Sequence, residues 1–152
     1  MQRMPHSEPG VAELVARVVA ATNAHDVDGI VSCFAPDYVN ETPVHPLRGF
    51  RGREQVRLNW ERILPAVPDL RVEVTASVVD GNTAWTEWEH RGTRLDGTPH
   101  LMRGVMIFAA AGGFFTRMRF YLETVEQSTG DVNAAVYRIV HAGSGSHWKG
   151  ES

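Results

Sequence analysis

Residues 85–93, WTEWEHRGT, set an imidazole, two carboxylates and two indoles within a few positions of one another. The stretch reads as a β-strand, in which side chains alternate between two faces. Thr86, Trp88 and His90 then share one face, and Trp85, Glu87, Glu89 and Arg91 share the other. Either set can look into a buried space. His90 is the leading candidate for chemistry, because an imidazole titrates near neutral pH and gives or takes a proton without a large pKa shift. The competing account is a histidine hydrogen-bonded within a core. Glu87 and Glu89 can divide acid and base roles if their environments differ. With Arg91, Arg117 and Arg119 nearby, cross-strand ion pairs are the simpler account.

Arg103 depends on a turn. If LDGT closes as a two-residue hairpin at Asp96-Gly97, Leu95 pairs with Thr98 and His90 with Arg103. A similar turn at Ala111-Gly112 pairs Arg103 with Phe120. An arginine on that face would stabilise an enolate or bind a carboxylate. One extra residue in either turn sends it to the opposite face, as a surface or dimer-interface group. Trp60, Trp88, Met106, Met118 and Phe120 are large and apolar, suited to lining a pocket for a flat ring or to filling a solid core. Tyr38 and Asn40 add a donor and acceptors beside them, which favours a pocket.

The elements that must position these groups follow from periodicity. Val11, Leu14, Val15, Val18 and Val19 fit an amphipathic helix, with Ser7 and Pro9 placed as N-cap and first-turn proline. Asp26 caps a short second helix carrying Ile30, Val31 and Phe34 inward. Residues 37–44 are extended. Gly52 to Pro65 is helical, with Val56, Trp60, Ile63 and Leu64 inward, and Pro65 and Pro68 end it. Val72, Val74, Ala76 and Val78 then alternate with polar residues as a core-facing stripe. VDGNT, LDGTP and AAGGF are hairpin signals between strands at 83–95, 100–110 and 114–125. A last helix spans 131–141, with Val132, Ala135, Val136 and Ile139 on one face. Helices followed by a four-strand antiparallel meander make an α+β domain, with a ligand pocket between sheet and helices. The expected boundaries are an N-terminal segment over 1–10, one domain over 11–141 and a loose tail over 142–152, where Gly and Ser are frequent.

Composition narrows the function. A net charge of −3 without basic runs argues against nucleic acid. No signal peptide or stretch long enough to span a bilayer is evident. Cys33 is the only cysteine, which fits a reduced, cytoplasmic setting and excludes an internal disulfide. The histidines are scattered and no metal-binding spacing or nucleotide-binding glycine motif occurs, so neither a metal nor another cofactor is expected.

The stretches AHDVDGIVSCFAPDYVNETP, FRGREQV, VVDGNTAWTEWEHRGTRLDGT, RGVMIF and RMRFYLETVE, in this order, resemble the nuclear transport factor 2-like superfamily and its SnoaL-like, polyketide cyclase-like branch. The resemblance implies a cone-shaped fold, in which a curved antiparallel sheet carries helices on its concave face. It implies either a cofactor-free cyclase, isomerase or dehydratase acting on an apolar carbonyl compound, or a non-catalytic ligand-binding or protein-interaction domain of the same fold. Tyr38 and Asn40 look like the pair that holds the nucleophilic water in epoxide hydrolases. The charged positions of that family fall on Trp88, His90 and Phe120, so its charged triad is absent. The isomerase base precedes a proline, where Thr42 stands before Pro43. His90 matches the cyclase histidine, and Glu123 stands where many relatives carry an aspartate. On this reading Thr86, Trp88 and His90 face the pocket. His90 and Arg103 are the catalytic candidates, and Tyr38, Asn40, Trp60, Trp88, Met118 and Phe120 contact a small apolar ligand. Glu87 and Glu89 lie outside, and the outer sheet face, with Trp85, Glu89, Arg119 and Tyr121, joins two copies in a homodimer.

Overall fold

The computed structural model describes residues 8–127 and 130–149, those from 143 onward by backbone alone. Helix α1 (Val11–Asn23) is followed by α2 (Val27–Val31), β1 (Phe34–Glu41), a 3-10 turn (Pro46–Arg48), β2 (Phe50–Arg51) and α3 (Arg53–Ala66). Strands β3 (Arg71–Asp80), β4 (Thr83–Thr93), β5 (Pro99–Ala111) and β6 (Phe114–Thr124) form the meander, and α4 (Val132–Lys149) closes the chain. The Asp26 side chain caps α2 by accepting from Gly29 N at 3.0 Å, as its position predicts. Helix α1 instead has Gly10 as N-cap with no side-chain bond, and Ser7 lies outside the described residues. Pro65 sits inside the last turn of α3 rather than ending it.

The α+β class holds, but the cone does not form. The sheet is open, with strand order β2-β1-β6-β5-β4-β3 and free edges at β2 and β3. Nor is it antiparallel throughout, since β1 runs parallel to β6, bringing Asn40 level with Met118. The segment read only as extended is thus a sheet strand. The pocket is closed instead by α1 and α3 laid over one face. Leu14, Ile30, Tyr38, Leu70, Phe115 and Leu122 lie at the centre of the core between these layers, each 2% exposed or less. Asn23, at the end of α1, clamps the edge strand by accepting from Val72 N at 2.7 Å and donating to Val72 O at 3.0 Å.

Three one-residue irregularities decide which side chains face inward. A bulge at Thr75 interrupts the β3–β4 ladder between Val74↔Trp88 and Ala76↔Glu87. Val72 is therefore buried, while Ala76 and Val78 turn to the outer face, where Val78 is 69% exposed. The expected core stripe is cut in half. The LDGT turn is a three-residue loop, closed by Arg94 N donating to Thr98 O at 2.9 Å, with Gly97 at φ 85°. His90 accordingly pairs with Met102 and Glu89 with Arg103. The third is a shift between Ala109 and Ala110, after a Gly112-Gly113 turn, which pairs Met106 with Phe120. Helix α4 runs through Lys149, past the boundary expected at 141, and its Val132, Val136 and Ile139 are exposed rather than packed inward.

Candidate functional site

A cavity of about 260 Å³ lies between the inner sheet face and helices α1 and α3. Its wall is mostly apolar: Phe34, Phe50, Trp60, Trp88, Phe108, Met106, Met118 and Phe120 all border it. Trp88 and His90 of β4 border it, while Thr86, on the same inner face, is buried without bordering the cavity. Thr86 and Trp88 are fixed by a short chain of bonds, Trp88 Nε1 donating to Thr86 Oγ1 at 2.6 Å and Thr86 Oγ1 donating to Met106 O at 2.6 Å. Each polar atom of that chain is satisfied, so Trp88 presents only its ring to the cavity.

His90 is different. It is 7% exposed, its ring stands edge-on to Trp88 with centroids 5.6 Å apart, and its Nε2 is buried without a hydrogen-bond partner among the described residues. Burial, with a smaller contribution from His100, pushes its pKa down from 6.5 to about 4, so the imidazole is neutral at pH 7. Leaving a buried acceptor or donor unmade costs about 1–3 kcal/mol, and such an atom marks a place where a ligand can bond.

A second polar group lies on β1. Tyr38 donates from its hydroxyl to Asn40 Oδ1 at 2.9 Å, and Asn40 Nδ2 donates to Thr42 Oγ1 at 3.4 Å. All three are buried and border the cavity. Burial holds the Tyr38 phenol well above its ordinary pKa, so it stays protonated. Asn40 is level with Met118 of β6, whereas His90 is level, through Met102, with Thr124. Both polar groups border the same cavity.

The site residues expected from sequence thus divide cleanly. Tyr38, Asn40, Trp60, Trp88, His90, Met118 and Phe120 all border the cavity. Arg103 does not: it lies on the outer face, 58% exposed, with Nε 2.9 Å from Glu89 Oε2. The extra residue in the 95–97 loop is the cause. Glu89 also meets Arg91, and Glu87 is exposed, so this pair lies in the outer-face environment that ion pairing predicts. Glu123 is bound to His45 at 2.8 Å, away from the cavity. Arg48, Phe50 and Asn59 border the cavity without having been singled out, and Thr42, noted only as the residue before Pro43, borders it too. Asn59 was accessible to periodicity, three residues after Val56 on α3. Arg48, in an irregular segment, carried no such signal. Among the described residues no cluster of ligating side chains could hold a metal ion, and no helix is long and apolar enough to cross a membrane.

An open mixed sheet with helices over one face, and an apolar cavity between the layers bordered by a few polar groups, defines a pocket-bearing α+β domain. The chain belongs to the SnoaL-like domain family, whose model matches residues 15–118, and the superfamily resemblance drawn from the sequence is borne out. Similar solved structures include AclR from Streptomyces galilaeus, provisionally named a hydroxylase, at 22% identity and TM-score 0.64, over 75% of this chain and 91% of that one. A hypothetical protein of ketosteroid isomerase-like fold from Catenulispora acidiphila, in complex with trimethylamine, matches at 20% identity and TM-score 0.63, over 76% and 87%. A computationally designed 17-OHP binder matches at 19% identity and TM-score 0.64, over 76% and 98%. At these identities the likeness is one of fold. No curated protein sequence matches the chain significantly.

Proposed function

We propose that this SnoaL-like domain binds a small, largely apolar molecule in the cavity and holds one polar atom of it on His90. The observation that carries the reading is the unpartnered Nε2 of His90 on an otherwise apolar wall. A ligand oxygen or N–H at that point would satisfy the imidazole, while aromatic and methionine side chains supply shape-tolerant contact. The designed 17-OHP binder supports it, since that protein takes a small molecule on the same fold. The test is an NMR titration of the His90 ring with 2-acetylnaphthalene as probe. Saturable shifts of the His90 resonances support the reading, and unchanged His90 resonances at millimolar probe count against it.

A second reading makes the same pocket a cofactor-free enzyme that moves a proton beside a carbonyl. The neutral imidazole favours it, because a general base must be unprotonated at working pH. Two features weigh on the other side. Arg103 is outside, and the Tyr38 hydroxyl, which could otherwise hold an oxygen, already donates to Asn40 Oδ1. Base and oxyanion donor are not paired, so binding is the stronger reading. Exchange of the probe's methyl protons in D2O decides: a rate that falls in His90→Gln supports catalysis, and equal rates remove it.

For the assembly we propose a homodimer through the outer sheet face, where Val78 and Trp85 are exposed beside Glu89, Arg119 and Tyr121. An aromatic centre with charged surroundings suits an interface. Sedimentation at micromolar concentration should give a dimer, and a monomer there would remove this proposal.

A further inference from the structure

Among the described residues, Arg48 is the only charged side chain on the cavity wall. Among the described residues, no hydrogen bond or ion pair engages its guanidinium. Two carboxylates of the flanking strands are committed elsewhere: Glu123 holds His45 at 2.8 Å, and Glu41 holds Arg117 at 2.8 Å. Arg48 closes the 3-10 turn that leads from β1 into β2, and it borders the cavity together with Thr42.

Thr42 and Asn59, also on the cavity wall, have donors in surplus. Thr42 receives Asn40 Nδ2 on its hydroxyl oxygen, which leaves the hydroxyl hydrogen free to donate. Asn59 receives Gln55 Nε2 on its Oδ1 at 2.8 Å, leaving its amide hydrogens. The guanidinium adds five N–H donors and accepts nothing. Among the described residues, no carboxylate borders the cavity. A space with an unpaired cation, spare donors and no anion is complementary to a single negative charge on an apolar body.

We propose that the natural ligand is a monocarboxylate: an apolar ring or chain that lies against Trp60 and Phe120, with its carboxylate on Arg48. This rests on the pocket reading above and names the ligand class. One guanidinium neutralises one charge and takes a carboxylate through two parallel bonds. A phosphate dianion would be left half-neutralised. The exposed position of Arg48 fits a ligand that enters body first and leaves its charge at the mouth.

Calorimetric titration with 2-naphthylacetate and its neutral twin 2-naphthylacetamide tests this. The acid should bind about tenfold tighter than the amide or better at low ionic strength, and the preference should shrink as salt is added. Arg48→Gln should bring the acid down to the amide's affinity without changing the amide, and Arg48→Lys should retain part of the preference. Equal binding of acid and amide, a preference that survives Arg48→Gln, or tighter binding of 2-naphthyl phosphate would overturn the proposal. If the amide and 2-acetylnaphthalene bind but the acid does not, the carboxylate inference fails and the pocket stands. If none of them binds, the pocket reading itself fails.

Discussion

Acidification should destabilise this protein through His90, by an amount the burial of the ring sets. Unfolded, the imidazole titrates near 6.5, and in the cavity wall near 4. The folded state therefore binds fewer protons than the unfolded state as pH falls from 6.5 towards 4. The sign is fixed by that order: above pH 6.5 both states are neutral and His90 has no pH-dependent effect, and below it stability is lost progressively. Each unit of difference is worth about 1.4 kcal/mol. The loss due to His90 is then about 2 kcal/mol at pH 5 and about 3 kcal/mol at pH 4. Carboxylates and His100 titrate in the same range, so absolute stabilities do not isolate it. The comparison with His90→Gln does, because the amide is similar in size and carries no proton equilibrium. Urea unfolding at pH 7.5, 6, 5 and 4 should give two curves that diverge by about 3 kcal/mol at the acid end, with wild type falling faster. Parallel curves would show that the ring reaches solvent or finds a partner, and the site built around its unpartnered nitrogen would fall with it.

Arg103→Ala should leave binding of any cavity ligand unchanged and cost no more than about 1 kcal/mol, since the residue is exposed and Glu89 keeps Arg91; calorimetry and urea unfolding check the two halves. Thr86→Val should cost about 1–3 kcal/mol, because the buried Trp88 N–H loses its acceptor, and the tryptophan emission should change with it. Trp60→Ala should cost about 2 kcal/mol, short of a fully buried tryptophan, since Trp60 is half-buried and fronts the cavity; thermal melting measures it. Gly104→Ala should cost about 3 kcal/mol or more: the backbone there has φ 152°, and a methyl group would run into the Tyr121 carbonyl oxygen. A wild-type melting temperature would refute it.

Local signals in the sequence were read well where the cause is local. Asp26 before an apolar run caps its helix, and Asn and Gly mark the hairpins. The inward face of β4 also came out as expected, with Trp88 and His90 on the cavity. What failed was parity. A two-residue and a three-residue loop share the same Asp-Gly signal, yet they place Arg103 on opposite faces. The bulge at Thr75 has no signature in a run that alternates regularly from Val72 to Val78. The place of β1 in the sheet depends on a parallel partner far along the chain, which periodicity within 37–44 does not record. Arg48 belongs to no repeating pattern, and only the fold brings it to the pocket.

The same bulge has a bearing on how the molecule keeps to itself. Strand β3 is a sheet edge of ten residues, and its second half is exposed on both sides. A straight edge of that length offers an unbroken row of backbone donors and acceptors to any other extended chain, and Val78 and Val79 would make the contact adhesive. At Thr75 the row is broken, because one residue has no opposite number and the strand twists more sharply there. Arg71, Glu73 and Asp80 place charges along the rest. Deleting Thr75 would straighten the ladder and keep Ala76 and Val78 on the outer face, opposite Glu87 and Trp85. It would also leave a continuous edge, so the variant should gain regularity and lose solubility, forming intermolecular sheet at concentrations where the native chain stays dispersed.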